Sequence, residues 1–184
     1  MTVHAPLSMS KEAFFAWIEQ REERYEYVGG RVVMMVYVTL NHALVASNLL
    51  FVLKSRLPAE QFNVVSADFA VNVGDSVRFP DILVQAAQAD LRALEAKAPI
   101  LIVEVLSPGT LHIDFGDKRR EYLGLPTLDT YLIVSPDEPR AWIWQRTDGA
   151  FPSEPEIIEG LDKQVVLPTL GARIAFAEVY RGIL

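Results

Sequence analysis

The sequence predicts an α/β protein in which helices pack on the faces of a mixed β-sheet. Strand-like stretches outnumber helical ones, and the two kinds are interleaved along the 184 residues. The stretch from Ile100 to Leu106 is short and almost wholly apolar, which is typical of a buried central strand. No repeat, low-complexity tract or shift in composition divides the chain, so we expect one domain over residues 1–184.

A helix and a hairpin are predicted first. Ser10 can cap a helix from Lys11 to Arg21, where apolar residues recur at helical spacing. Two strands, Tyr25 to Val28 and Arg31 to Val36, flank Gly29-Gly30. Two adjacent glycines permit the positive φ of a tight turn, so these strands are expected to pair.

A second helix follows the hairpin. Thr39 or Asn41 can serve as its N-cap, and it is expected to end before Pro58. Its apolar residues form a broad stripe that would face the core: Leu44, Val45, Leu49, Val52 and Leu53.

Strands dominate the middle of the chain. They are predicted at Asn63 to Ser66, Phe69 to Val73 and Val77 to Gln85, and a short helix is predicted at Ala89 to Ala96. The central strand then ends at Ser107-Pro108-Gly109, whose proline and glycine break regular structure.

Two further elements follow the central strand. A polar helix is predicted from Asp114 to Leu123. A last hairpin is predicted from Thr130 to Val134 and Ala141 to Gln145, turning around Pro136-Asp137. The remaining residues contain several prolines and give no clear pattern.

The composition excludes several kinds of chemistry. The chain has no cysteine, so disulfides, thiolate metal sites and cysteine-based catalysis are excluded. The net charge of −7 argues against strong, nonspecific binding of DNA, which usually needs a basic face. The one cationic cluster, Lys118-Arg119-Arg120, still allows a local positive site.

The sequence gives no sign of a membrane or an export signal. Met1 to Pro6 lacks the basic and then apolar layout of a signal peptide, and the apolar stretch Ala43 to Leu53 is too short to span a bilayer. We therefore expect a soluble, cytoplasmic protein.

Glu104 is the acid that interrupts the central strand. The strand period places it on one face with Ile102 and Leu106, so its carboxylate is expected to lie in a packed layer. A buried carboxylate costs several kcal/mol unless a cation, a metal or dense hydrogen bonding compensates it. A structural ion pair and a metal ligand are both consistent with this position.

Asp81 is a second candidate acid. It follows Pro80 and precedes apolar residues, so it marks the mouth of a strand. A turn aspartate would also fit a Pro-Asp pair. The interval between Asp81 and Glu104 is long enough for a loop, a short helix and a return to an adjacent strand, which favours a shared site.

Asp114, Lys118 and Tyr122 recur every four residues, which aligns them on one helix face. Asp114 and Lys118 could simply stabilise the helix, and Tyr122 could pack in the core. If that face covers the Glu104 strand, Lys118 could orient a water or stabilise charge on a phosphate.

The candidate acids suit a hard cation. Two carboxylates and a backbone carbonyl, such as that of Val105, fit Mg²⁺ or Mn²⁺, with waters and phosphate oxygens completing the coordination. His42 lies at a helix start, where a lone histidine is more often a cap or surface residue, so it is left outside the catalytic set.

Five segments, in order, resemble the Uma-type putative restriction endonuclease family of the PD-(D/E)XK nuclease superfamily. The resemblance covers most of the chain from Tyr25 to Gln145, and the ordered combination is far more specific than any single piece. The segments are Tyr25 to Val33, Phe79 to Val84, Leu101 to Pro108, Asp114-x-x-x-Lys118-x-x-x-Tyr122, and Asp129 to Pro136.

The resemblance implies a restriction-endonuclease-like mixed β-sheet core flanked by helices, with DNA as substrate. It implies that Asp81 and Glu104 bind a divalent metal, and it makes Glu26 a further catalytic candidate because family members carry an acid there. The superfamily signature has lysine two residues after the buried acid, where this chain has Leu106. The resemblance therefore implies that Lys118 takes the place of that lysine. It also implies a homodimer, because cutting both strands together requires two sites.

Two other interpretations remain open at this point. The acidic charge and the lack of a separate recognition domain would fit a catalytically inactive module that keeps the nuclease fold for binding protein or nucleic acid. Glu104 and Lys118 could alternatively form a purely structural ion pair.

Overall fold

The computed structural model describes residues 8–35, 37–107 and 111–184. The predicted strand end at Val36 and the predicted break at Pro108-Gly109 therefore lie outside the described residues. The described elements are, in chain order, α1 (Lys11–Ile18), β1 (Tyr25–Val28), β2 (Arg31–Met34), α2 (Leu40–Arg56), β3 (Phe62–Ser66), β4 (Val71–Val73), β5 (Ser76–Arg78), β6 (Ile82–Ala86), β7 (Pro99–Val105), α3 (Leu111–Ile113), a π-helical turn (Asp114–Lys118), α4 (Arg119–Leu123), β8 (Thr130–Val134), β9 (Arg140–Gln145), β10 (Glu156–Glu159), β11 (Gln164–Leu167), a 3₁₀ turn (Pro168–Leu170), β12 (Ala172–Ala175) and α5 (Phe176–Val179).

A six-stranded mixed sheet carries the central strand. Its order is β10-β9-β8-β7-β6-β3, in which β7 and β8 are parallel and the other neighbours are antiparallel. Parallel neighbours need a crossover connection, and the chain between β7 and β8 supplies one through α3, the π-helical turn and α4. The predicted α/β class, a mixed sheet flanked by helices, is confirmed.

The two faces of β7 belong to two different cores. Leu101, Val103 and Val105 pack in the core that also contains the buried side chains of α2. Ile102 and Leu106 pack in the opposite core, with Tyr122 of α4. Because side chains alternate along a strand, Glu104 points into this second core, as the strand period predicts.

A second, four-stranded sheet has the order β2-β1-β5-β4 and contains the predicted hairpin. Gly29 and Gly30 have φ of +52° and +88°, so the tight turn between β1 and β2 uses the conformation that glycine allows. Tyr27 pairs with Val77, which joins the hairpin to β5, and Phe14 of α1 packs against Tyr27. This sheet carries Glu26 and Arg78 toward the candidate site.

The single strand predicted from Val77 to Gln85 is wrong. The structure has two strands there, β5 and β6, in two different sheets. Phe79, Pro80 and Asp81 separate them, because proline has no N–H to donate to a ladder. The break places Asp81 between the sheets, immediately before β6.

Two helix predictions need correction. The helix predicted from Ala89 to Ala96 is a series of turns, in which the Asp90 carboxylate accepts the Arg92 N–H at 3.0 Å, an arrangement that competes with helix. The helix α1 ends at Ile18 rather than Arg21, since the Arg21 N–H bonds the Ile18 carbonyl at 3.0 Å, three residues back, instead of continuing the α pattern.

The other predicted elements are present. Thr39, not Asn41, caps α2, and its hydroxyl oxygen accepts the His42 N–H at 3.3 Å. The predicted helix from Asp114 to Leu123 is helical throughout, although its first half is a π-helical turn. The last hairpin forms β8 and β9. Within the described ranges, no helix has both the length and the apolar character to cross a membrane.

The packing of the central sheet gives a stability prediction. Leu132 on β8 is fully buried, so Leu132→Ala should lower the free energy of unfolding by about 2–5 kcal/mol through lost burial and a cavity. Leu91→Ala is the matched control, because Leu91 is 89% exposed and its truncation should change little. Urea unfolding of both variants measures the difference. Equal effects would show that β8 is not in the core.

Candidate active site

A pocket of about 230 Å³ gathers the acids and the lysine that the sequence singles out. Asp81, Glu104, Lys118 and Glu26 all line it, together with Val105. These residues come from both sheets and from the π-helical turn, so only the folded chain brings them together. His42, Phe79, Ser107, Ile113 and several apolar residues of the segment after β1 complete the lining.

Glu104 is almost fully buried and binds two partners through one oxygen. Its Oε1 lies 3.0 Å from Lys118 Nζ and accepts the Tyr122 hydroxyl at 2.9 Å. Among the described residues, no hydrogen bond reaches the second oxygen, Oε2. One oxygen of this carboxylate is therefore fixed by the protein, and the residue lines the pocket.

Lys118 lies at the centre of the acids. Its Nζ is 3.2 Å from Asp114 Oδ1 and 3.9 Å from Glu26 Oε1, in addition to the contact with Glu104. The Tyr131 hydroxyl donates to the backbone carbonyl of Asp114 at 3.0 Å, which fixes the π-helical turn against β8. As predicted, Asp114, Lys118 and Tyr122 share the helix face that covers β7.

Glu26 is held by a residue that the sequence reasoning missed. Arg78, 2% exposed, donates to Glu26 Oε2 at 2.9 Å and to Glu121 Oε2 at 2.7 Å. Ser76 donates to the other Glu121 oxygen at 2.8 Å, so β1, β5 and α4 are tied together. A charged residue between Val77 and Phe79 in an apolar strand was the available signal for Arg78.

Asp81 is anchored through one oxygen as well. Its Oδ2 accepts the Val105 backbone N–H at 2.7 Å and lies 3.2 Å from His42 Nε2. The prediction that His42 belongs outside the site is not supported by its position, since it is 5% exposed and lines the pocket. His42 comes from the first turn of α2, far along the chain from Asp81.

The charges in the pocket are unevenly balanced. Burial raises the pKa of Glu104 to about 8, although the Lys118 ammonium opposes the change, and nearby carboxylates raise it further: Asp81, Asp114 and Glu26. Burial by itself would lower the pKa of Lys118, but its acidic neighbours raise it above its usual range. The pKa values of Glu104 and Lys118 are both raised because one lysine lies among several acids. The positive charge of the ammonium is balanced by these acids, whereas one ammonium does not balance the charge of all the carboxylates.

The donor set fits a magnesium or manganese ion. Among the residues that the structure describes, no three His, Cys, Asp or Glu side chains are arranged to hold a metal together. Mg²⁺ does not need such a cage, because it usually keeps several waters and is held by one or two carboxylates. Asp81 and Glu104 supply two carboxylates, and Val105 lines the same pocket. The excess negative charge around Glu104 is also what a divalent cation would relieve.

The alternative to a metal site is a purely structural role for the ion pair between Glu104 and Lys118. Buried pairs such as Glu104 and Lys118 occur in cores without any catalytic part, and the hydrogen bond from Tyr122 would serve either role. A purely structural pair does not explain why Asp81 and Glu26 are placed at the same pocket.

The fold matches a solved nuclease-like structure. The chain superposes on the crystal structure of a putative nuclease belonging to DUF820 from Anabaena variabilis with a TM-score of 0.77, over 97% of this chain and 100% of that one. The two sequences are 18% identical, so this likeness concerns the fold. It confirms the predicted fold class, a mixed β-sheet flanked by helices.

The chain belongs to the Uma2 family, described as putative restriction endonucleases, whose model matches residues 11–177. Similar proteins occur in Synechocystis sp. The uncharacterized protein slr1290 is 26% identical over 100% of this chain and 99% of its own length. The uncharacterized protein sll1609 is 26% identical over 63% of this chain and 68% of its own length.

The raised pKa of Glu104 predicts a pH dependence of stability. A carboxyl whose pKa is higher in the folded state, about 8 against 4.5, stabilises the fold fully below pH 4.5 and loses that contribution as pH rises through 8. Without metal, the unfolding free energy of the wild type should therefore fall between pH 5 and 8.5 by on the order of 2–5 kcal/mol relative to Glu104→Gln, which cannot ionise.

Urea unfolding in a chelating buffer at several pH values measures this difference. Parallel stability curves for the two proteins would show that Glu104 titrates normally and that its charge is already balanced.

Proposed function

We propose that the protein is a divalent-metal-dependent endonuclease that hydrolyses phosphodiester bonds in DNA, using Mg²⁺ or Mn²⁺. The observation that carries the proposal is the meeting of Asp81, Glu104 and Lys118 at one pocket. Membership of a family of putative restriction endonucleases supports the reaction class and the substrate. The proposal treats residues 1–184 as one nuclease domain.

In this proposal Asp81, Glu104 and the backbone carbonyl of Val105 hold the ion. A bound divalent cation supplies Lewis acidity, which acidifies water and offsets the negative charge that develops on the phosphate. The protein has already oriented both carboxylates, because each has one oxygen bound by neighbouring groups. Little reorganisation is then needed when the ion and the phosphate arrive.

Lys118 acts on the reacting groups from beside Glu104. Its Nζ lies 3.0 Å from Glu104 Oε1 and 3.2 Å from Asp114 Oδ1, and these two acids hold it at the pocket. From this position the ammonium orients the attacking water or stabilises charge on the phosphate. Lys118 thus takes the part of the lysine that Leu106 replaces in the superfamily signature.

Glu26 has a supporting part in the proposed mechanism. It lies 3.9 Å from Lys118 Nζ and is itself fixed by Arg78. It limits the positions that the ammonium can take, and it can accept a hydrogen bond from the attacking water. A homodimer is part of the proposal, since two such pockets would be needed to cut both strands together.

The competing function is a catalytically inactive binding module with the same fold. The specific observation in its favour is that Lys118 already contacts Glu104 and Asp114 closely, as a structural lysine would. The net charge of −7 also weakens the case for broad DNA binding.

Metal binding separates the two functions. Millimolar Mg²⁺ or Mn²⁺ should raise the melting temperature of the wild type, because a ligand that binds only the folded state stabilises it. Asp81→Asn and Glu104→Gln should abolish this shift and lower the rate of plasmid cleavage by roughly 10²–10³-fold or more. Asp162→Asn is the control, an exposed acid far from the pocket in sequence, and it should retain both properties.

No metal response in the wild type, with no cleavage, would support the inactive module. A metal response that survives in Asp81→Asn and Glu104→Gln would place the ion elsewhere.

Lys118 gives a second, independent test. Lys118→Gln should keep Mn²⁺ binding, since the metal ligands remain, but it should lower cleavage by roughly 10²-fold or more at saturating Mn²⁺. Calorimetric titration measures the binding, and plasmid nicking measures the rate. Full activity in a folded Lys118→Gln protein would reduce Lys118 to a structural partner of Glu104.

A further inference from the structure

His42 is buried in the candidate site, but the proposed mechanism assigns it no role. It is 5% exposed, it lines the pocket with Asp81 and Glu104, and it belongs to the first turn of α2. Nothing in the sequence near His42 indicates such a place, because the rest of α2 and three strands, β3, β4 and β5, separate it from Asp81 in the chain.

The contact between His42 and Asp81 controls one carboxylate oxygen. His42 Nε2 lies 3.2 Å from Asp81 Oδ2, and the Val105 N–H donates to the same oxygen at 2.7 Å. The two contacts come from α2 and β7, so they hold the carboxylate from two directions. Among the described residues, no hydrogen bond reaches Oδ1. These two contacts of the Asp81 carboxylate with the described residues thus fall on Oδ2.

We propose that His42 is a positioning residue, whose imidazole ring contacts Asp81 and holds its carboxylate in place for the divalent ion. The inference rests on the proposed function and adds to it a residue outside the acid and lysine set. Groups that contact metal ligands from outside the coordination shell fix the orientation of those ligands, and their loss typically weakens metal binding by about 10–100-fold.

The hydrogen-bonding state of the ring supports this role. Nδ1 is buried and has no hydrogen-bond partner among the described residues. An unpaired buried polar atom costs about 1–3 kcal/mol. A histidine present only to fill space would bring this cost without a benefit, whereas an apolar ring would avoid it.

The fold makes the position of His42 precise. The Thr39 hydroxyl accepts the His42 backbone N–H at 3.3 Å, and the Thr39 carbonyl accepts the Ala43 N–H at 3.1 Å. The next turns of α2 are fixed by Val45 and Leu49, which are buried against the central sheet. The ring is therefore carried by a rigid, capped helix end rather than by a loop.

The same geometry argues against direct metal binding by the ring. Its Nε2 lies 3.2 Å from Asp81 Oδ2, and its Nδ1 is buried. His42 thus acts through Asp81 and not on the ion.

Calorimetric titration of Mn²⁺ into the full chain tests this role. Relative to wild type, His42→Leu should bind Mn²⁺ about 10–100-fold more weakly. His42→Gln should bind nearly as tightly as wild type, because a glutamine amide can donate from a position close to that of Nε2. His112→Leu is the matched control, since His112 is exposed, and its affinity should not change. Asp81→Asn reports on the proposed metal site itself.

Melting temperatures without metal show whether each variant is folded, and cleavage rates at rising Mn²⁺ add a second readout. For His42→Leu the lost rate should return at saturating Mn²⁺, because the metal ligands are intact. A purely structural histidine would lower the melting temperature without changing the Mn²⁺ affinity.

The outcomes separate the inference from the proposed function. If wild type and Asp81→Asn bind Mn²⁺ equally or not at all, the proposed function fails. If Asp81→Asn loses binding while folded His42→Leu matches wild type, only the role of His42 is overturned. It is also overturned if folded His42→Gln binds as weakly as His42→Leu. Should His42→Leu fail to fold, His42→Gln decides alone: tight binding supports the role, and lost binding overturns it.

Discussion

The buried contact between Glu104 and Lys118 is the interaction on which the arrangement of the structure depends. A carboxylate in the middle of a central strand must be compensated, and the compensating ammonium must reach it from the neighbouring layer. The π-helical turn and α4 therefore have to lie across β7, with Lys118 on the face that contacts Glu104. Lys118 also contacts Asp114 and Glu26, and Glu26 forms an ion pair with Arg78. Glu104 of the central sheet is thus linked through Lys118 and Glu26 to Arg78 of the four-stranded sheet.

This network does not balance its own charge, and the imbalance connects the fold to the proposed chemistry. Burial and three nearby acids raise the pKa of Glu104 in spite of the lysine beside it. A core built only for stability would more easily carry apolar residues at these positions. The protein instead holds one oxygen each of Asp81 and Glu104, and both side chains line the pocket. We interpret this as preparation for a divalent cation, whose charge would complete the network.

Much of this could be predicted from local pattern. The two-residue period of the central strand placed Glu104 on a packed face, and the four-residue spacing of Asp114, Lys118 and Tyr122 placed them on one helix face; both placements are confirmed. The hairpin that turns at Gly29-Gly30 and the helix capped by Thr39 could also be predicted, since their signals lie within a few residues. The metal ligands and the catalytic part of Lys118 stay predictions.

What could not be predicted depends on contacts between distant segments. Pro80 and Asp81 indicated the start of a strand, but the sequence did not show that the residues before and after them enter different sheets, because that depends on their pairing partners. His42 carries no local signal of its role, because that role depends on a carboxylate many residues away. Arg78 stands out locally only as a charge in an apolar strand, and its partner Glu26 is equally distant in the chain. The short helix predicted around Ala93 yields to turns whose backbone groups bind other elements, as when Ala96 N–H binds the Ala70 carbonyl at 2.8 Å.

The most direct measurement is an anomalous diffraction map of crystals soaked in Mn²⁺. A single strong peak is expected in the pocket, about 2.0–2.3 Å from one oxygen of Asp81 and one oxygen of Glu104. An empty pocket at saturating Mn²⁺, or a peak bound by other residues, would contradict the proposal that these acids form a metal site.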